Sequence, residues 1–181
     1  SKYIPFIYYS FMPIKINVKN SINDASIKNY VLFSNEDFKI SGLNRLSLSH
    51  FSSNISKTIQ TNKSNKKEIL IFNLNPTQKV IVIKLKTNHS PLSNEKKGSE
   101  FYDFIKSNSI LSSTFIEDNF IDTLKKNKNF IDEFFHGIKL KSYEFSKYKT
   151  KKNFENYEIN ISIKSKNFNF NKNARFDSLI D

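Results

Sequence analysis

Catalysis needs nucleophiles, titratable groups or metal ligands, and this 181-residue sequence offers a narrow set of them. Cysteine is absent, which removes thiol nucleophiles, thiolate metal sites and disulfides together. The three histidines, His50, His89 and His136, have no spacing that sets two on one helix face. No metal role is expected of them, and His136, beside Gly137, reads as a boundary or core histidine. The carboxylates stand singly or as pairs such as Glu117-Asp118 and Asp132-Glu133. A two-metal hydrolase instead needs clustered oxygen ligands that hold its ions about 3.5–4 Å apart. Serine is abundant, but no G-x-S-x-G elbow surrounds one. Gly42, Gly98 and Gly137 are the only glycines and lie far apart, so neither a G-x-G-x-x-G turn nor a Walker loop can be written.

What remains is charge. Lys and Arg total 29 against 17 Asp and Glu, a formal +12, which points toward anionic partners. Part of that excess is discounted, because Asn, Ser, Ile, Lys and Phe are all residues of A- and T-rich codons. With 38% hydrophobic and 14% aromatic residues, the chain can bury enough surface to order itself, and its length suits one domain. The apolar stretch Tyr3-Ile4-Pro5-Phe6-Ile7-Tyr8-Tyr9 is far shorter than the roughly 20 residues that span a bilayer, and no small-residue cleavage site follows it. No membrane partner and a cytoplasmic location are therefore expected. Met12 reads as a natural start, which makes residues 1–11 an extension and 12–172 the folded domain. Residues 173–181, with Phe176, Leu179 and Ile180 at helical spacing, read as the start of a linker helix to a domain that is absent.

The elements that must position any site follow from periodicity. Strands are predicted over Ile14–Val18, Tyr30–Phe33, Ile69–Phe72, Val80–Leu85, Ile110–Phe115 and Tyr157–Ile163. The continuous β-branched run Val80-Ile81-Val82-Ile83 requires cover on both faces and belongs inside a sheet. Tyr157–Ile163 alternates strictly, so one of its faces should meet water near an edge. Apolar stripes predict helices through Leu43, Leu46, Phe51, Ile55 and Ile59, through Phe101, Phe104 and Ile105, and through Ile131, Phe134, Phe135 and Ile138, with a shorter one over Phe120–Leu124. Asn129 is placed to cap the helix through Ile131, with Asp132 and Glu133 in its first turn. Thr61–Lys67 and Asn88–Ser93 read as surface connections. Alternating strands and helices give an α/β layer fold with a mostly parallel sheet.

The most specific segment runs from Gly137 through Ile138-Lys139-Leu140-Lys141-Ser142-Tyr143-Glu144-Phe145-Ser146-Lys147-Tyr148-Lys149-Thr150-Lys151 to Lys152. A glycine inside a helix costs about 1 kcal/mol relative to alanine, so Gly137 should mark a backbone approach too close for a side chain, expected here against the sheet. Tyr143, Phe145 and Tyr148 are expected to seal the helix exit. Lys147, Lys149, Lys151 and Lys152 would complement the negative end of the helix dipole; their rival reading is a phosphate-contacting patch joined by Lys164, Lys166 and Lys172. The segment resembles the G-x-x-L-x-x-Y-x-F-x-x-Y-K-T-K run of the N-terminal domain in the leucine (cytosol) aminopeptidase family. Gly137, Leu140, Tyr143, Phe145, Tyr148, Lys149, Thr150 and Lys151 fall on that pattern as structural positions.

This resemblance implies a macro-domain-like three-layer α/β/α fold with a mostly parallel mixed sheet. It also implies a non-catalytic role in packing, assembly or regulation, because peptide hydrolysis in the family belongs to a following catalytic domain holding two divalent ions, Mn or Zn. That domain's N-T-D-A-E-G-R signature is missing here, so no catalytic or metal-binding residue is assigned. Implied partners are the catalytic domain and the other copies of a homo-hexamer; nucleic acid is the alternative, since some bacterial members bind DNA. A macro-type domain also suggests an ADP-ribose-like ligand. No glycine lies between Gly42 and Gly98 to let backbone approach phosphates, and such binding is not expected.

Overall fold

The computed structural model describes residues 14–45, 52–62, 66–87, 90–147 and 158–170. Among the described residues six strands appear where the apolar runs predict them: β1 (Ile14–Lys19), β2 (Asn29–Ser34), β3 (Ile69–Asn75), β4 (Gln78–Lys84), β5 (Ser112–Ile116) and β6 (Ile159–Lys164). They form one sheet in the order β1-β6-β5-β2-β4-β3. Every neighbouring pair is parallel except β3 with β4. Residues Val80 to Ile83 of β4 are fully buried, as their β-branched run requires. β6 lies one strand in from the edge, burying Ile159, Ile161 and Ile163 while Asn160, Ser162 and Lys164 remain half-buried.

Helices α1 (Ser52–Thr61), α2 (Pro91–Ser107), α3 (Glu117–Lys126) and α4 (Phe130–Lys147) complete the three layers. The predicted helix from Leu43 to Ile59 is instead a 3-10 turn at Leu43–Arg45 followed by α1, with Leu46 and Phe51 outside the described residues. A second correction concerns Asn88–Ser93, expected as a connection. Helix α2 already starts at Pro91: Ser90 Oγ accepts from Ser93 N–H at 3.1 Å, Ser93 Oγ accepts from Ser90 N–H at 3.1 Å, and Pro91 fills the first turn where no N–H is needed. At α4, Asn129 does hold the cap position, its carbonyl accepting from Glu133 N–H at 3.0 Å, with Asp132 and Glu133 in the first turn.

One face of the sheet buries Tyr30, Leu32, Val80, Val82 and Ile116 with Ile55 and Ile59 of α1. The other buries Val31, Phe33, Ile81, Ile83, Phe115 and Ile161 among Phe101, Phe130, Phe134, Phe135 and Ile138 of α2 and α4. Edge-to-face contacts run through this layer, such as Phe33 with Phe134 at 5.3 Å and Phe115 with Phe135 at 5.1 Å between ring centroids. Such pairs add about 0.5–1.5 kcal/mol each beyond area burial. Among the described residues no helix is long and apolar enough to cross a membrane.

Gly137 does mark a close approach, but to a helix and not to the sheet. A Cβ there would stand 2.6 Å from the Glu95 carbonyl carbon, and one on Gly98 would stand 2.8 Å from that of Phe134. The contacts Asn94–Glu133, Gly98–Ile138 and Asp103–Lys141 climb both helices in the same sense. Helices α2 and α4 are therefore parallel, touching backbone to backbone through a glycine from each.

Candidate functional site at the carboxyl ends of the strands

In open α/β sheets ligands enter where neighbouring strands part at the carboxyl edge, so that edge is the place to look for a site. Here β2 pairs with β5 only at Tyr30–Thr114 and Val31–Phe115. Beyond Val31 the backbone of β2 loses that neighbour. The gap is filled by Asn119, in the first turn of α3 and buried to 1% exposure. Its Oδ1 accepts from Phe33 N–H at 2.7 Å, while its Nδ2 donates to Phe33 O at 3.1 Å and to Ser41 O at 3.0 Å. One side-chain amide thus substitutes for a missing strand.

A cleft of about 790 Å³ opens beside this plug, lined by Asn35–Asp37, Lys39–Ser41, Leu85–Thr87 and the outer side of α3. Both signs of charge line it: Glu36, Asp37 and Asp122 against Lys39, Lys86 and Lys126. The loop that forms its lip is closed on itself. Asn35 Oδ1 accepts from the N–H groups of Asp37 and Lys39, both at 2.9 Å, and Asn35 O accepts from Phe38 N–H at 3.0 Å. Phe38 takes a left-handed φ of 58° and drops its ring into the α1-side core at 5% exposure, with the Lys84 ammonium 5.1 Å from the ring centre. Across the cleft, Glu36 Oε1 accepts from Thr87 N–H at 3.3 Å and its hydroxyl at 3.2 Å. The backbone N–H groups of residues 37, 38, 39 and 87 are thus engaged by the protein's own oxygens.

The next turn is held as firmly. Gly42, at φ 80°, brings its backbone so near Asp118 that a Cβ would stand 2.9 Å from the Asp118 carbonyl carbon. A left-handed residue at that spacing has to be glycine. Arg45 Nη2 then donates to Asp118 O at 3.1 Å and pairs with Asp122 at 3.4 Å. A second hollow of about 550 Å³ lies behind the lip, between Phe38, Ile40 and Leu43 and the α1 residues Ile59 and Gln60.

No protein-family model matches the sequence, and no curated protein matches it significantly. Solved structures do resemble the fold. A tomato leucine aminopeptidase variant superposes with a TM-score of 0.59 at 16% identity, over 93% of this chain. A macrodomain variant from Oceanobacillus iheyensis gives 0.52 at 13% identity, over 92% of this chain and 88% of that one. The macrodomain of DarG from Thermus aquaticus gives 0.50 at 8% identity, over 84% of this chain and 99% of that one. The fold is macro-domain-like. The chain spans 35% of the aminopeptidase chain it matches.

Within this macro-like domain the singled-out motif divides. Gly137 is the helix contact, Tyr143 is half-buried on α4, and Leu140 faces outward with 40% exposure. The side chains of Phe145 and Lys147, and all of Tyr148, Lys149, Thr150, Lys151 and Lys152, lie outside the described residues. Sequence reasoning passed over Asn119 and Asn35, because an asparagine in a first turn or a loop reads only as a local cap. His136 is a buried boundary residue, its Nδ1 3.0 Å from Glu95 Oε1. His50 and His89 lie outside the described residues. Among the described residues no three His, Asp or Glu side chains gather closely enough to hold a metal ion.

Lys139, within the same motif, is buried to 7% exposure and donates to Ile14 O at 3.0 Å, tying α4 to the start of β1. Desolvation by burial holds its pKa below the ordinary 10.5. A lysine depressed in this way binds protons less readily folded than unfolded, so it weakens the fold most where both states are charged. The penalty fades as pH rises through the interval between the two pKa values. Thermal melts of the native chain and of Lys139→Met should therefore show a difference that moves in favour of the native chain from neutral pH to above the lysine range. A pH-independent difference would remove this account.

Proposed function

We propose that the chain is the non-catalytic N-terminal domain of a leucyl-aminopeptidase-like metalloexopeptidase, a protein that removes N-terminal amino acids from peptides. The domain packs on its catalytic partner and supports assembly or limits access to the active sites. The observation that carries this reading is the self-occupied carboxyl edge. In this macro-like fold the amides at residues 37, 38, 39 and 87 are bonded internally, which favours scaffolding over phosphate binding by those four groups. The run from Gly137 to Lys151 supplies the family, and the outward-facing Leu140 supports docking by that helix. Two divalent ions, Mn or Zn, would belong to the catalytic domain, and a cytoplasmic hexamer is the corresponding assembly.

The nucleic-acid alternative draws less support. Among the described lysines, Lys86 and Lys97 pair with Glu68, Lys125 with Asp122, Lys141 with Asp103 and Lys164 with Asp24, which leaves less charge free for phosphates. Duplex affinity that falls steeply with salt would restore it.

The test has two arms. Titrating ADP-ribose into the 181-residue chain should release no binding heat, and the same chain with Mn²⁺ should not turn over leucine amide. The complete gene product should cleave that substrate. A saturable ADP-ribose isotherm, or a coding sequence that stops directly after Asp181, overturns the proposal.

A further inference from the structure

The two edges of the sheet differ in chemistry. On β1 an antiparallel pairing with a second copy, centred on Asn17, would set Lys15 opposite Lys19 of the other chain, and like charges facing across strands repel. Lysines of this kind protect an edge. Strand β3, Ile69-Leu70-Ile71-Phe72-Asn73-Leu74-Asn75, carries no charge and no proline. Among the described residues it pairs only with β4. Its Ile69, Ile71, Phe72 and Leu74 stay half-buried and Asn73 is exposed.

The direction of its free backbone groups can be derived. Lys84 N–H donates to Glu68 O at 2.8 Å, and in an antiparallel ladder alternate residues bond to the same side. Glu68, Leu70 and Phe72 therefore bond inward to β4, and Ile69, Ile71 and Asn73 present N–H and C=O outward. The strand is also held ready. Glu68 is paired with Lys97 and Lys86 at its start. At its end Asn75 Oδ1 accepts from Thr77 N–H at 3.0 Å and Gln78 N–H at 2.9 Å.

We infer that β3 is a homodimerisation edge: it pairs antiparallel with β3 of a second copy, about a two-fold axis at Ile71. In that register the outward-bonding residues meet one another, Ile71 with Ile71 and Ile69 with Asn73, each pair exchanging two backbone bonds. Leu70 falls opposite Phe72 of the other chain on the face that packs toward α1, which extends an apolar core already containing both residues. The pairing stays within Ile69–Asn73, before the register shift between Asn73 and Asn75. For a chain of formal charge +12, an uncharged segment is where a second copy can approach with least repulsion. The contact is isologous, so it closes at two copies and, among the described strands, leaves the lysine-bearing β1 edges outside. The inference does not depend on the aminopeptidase reading.

Sedimentation equilibrium of the 181-residue chain across a dilution series should show a monomer–dimer transition. Asn73→Pro deletes an outward N–H without touching the β4 ladder. By symmetry it removes two bonds of the dimer and should weaken association roughly thirtyfold. Asn73→Lys adds edge charge on an exposed position and should also weaken it, with melting temperature held, which covers the case of a proline variant that fails to fold. Amide exchange at Ile69, Ile71 and Asn73 should slow as concentration rises. A wild-type chain that stays monomeric at every concentration, or a dimer indifferent to both substitutions, refutes the inference.

Discussion

Gly137→Ala is expected to destabilise the protein by about 1–3 kcal/mol, against a helix propensity that favours alanine by about 1 kcal/mol. The sign is decided by what the new methyl meets. Its neighbours are the carbonyl carbon of Glu95 at 2.6 Å and the Glu95 Cα at 2.8 Å, which are backbone atoms inside α2 and cannot rotate away. Relief requires the two helices to separate, and they carry Phe101, Tyr102, Phe134, Phe135 and Ile138, all fully buried. Loosening that layer gives up aromatic contacts packed at interior density. Gly98→Ala meets the Phe134 backbone in the same way and should cost a similar amount. The double variant should cost clearly less than the sum, because the first methyl already forces the separation that the second needs. Urea unfolding of the four proteins measures this directly. An unchanged or raised midpoint in Gly137→Ala would show that the helices do not touch through these glycines.

How far this arrangement was legible in the sequence depends on the range of the interaction. The strand through Val80-Ile81-Val82-Ile83 and the half-buried strand over residues 159–164 were readable, because burial on two faces or one leaves a period in neighbouring residues. The aromatic helix through Phe134 and Ile138 was readable for the same reason. Gly137 announced a close approach but not its partner: the sheet was the expectation, whereas the contact is with α2, whose Gly98 is remote in sequence and out of any local period. The start of α2 could have been found, since Ser90-Pro91-Leu92-Ser93 holds an N-cap, a first-turn proline and a third-position hydroxyl. The carboxyl-edge site was hidden more deeply. Asn35 and Asn119 are two among many asparagines, and only tertiary placement makes one close a loop and the other complete a strand.

Removing the amide of Asn119 should be the most damaging polar substitution in the described structure. In Asn119→Leu the volume is kept, but Phe33 N–H, Phe33 O and Ser41 O lose their partner in a region that is almost fully buried. Each buried polar group left unmade costs about 1–3 kcal/mol; with partial relaxation of the Ser41 loop the total should be about 3–5 kcal/mol, or roughly 10–15 °C in Tm for a domain of this size. Asn119→Asp separates the donor and acceptor roles. A carboxylate can still accept from Phe33 N–H but turns negative charge toward two carbonyl oxygens, so this variant should also be destabilised at neutral pH. Protonating the introduced carboxylate restores one donor, and the variant's deficit relative to the native chain should shrink as pH falls. Thermal melts of both variants over a pH series distinguish the account from simple cavity formation, which is independent of pH. If Asn119→Asp shows the same deficit at every pH, the amide is not completing the strand, and the closure of the carboxyl edge on which the scaffolding reading rests would need another cause.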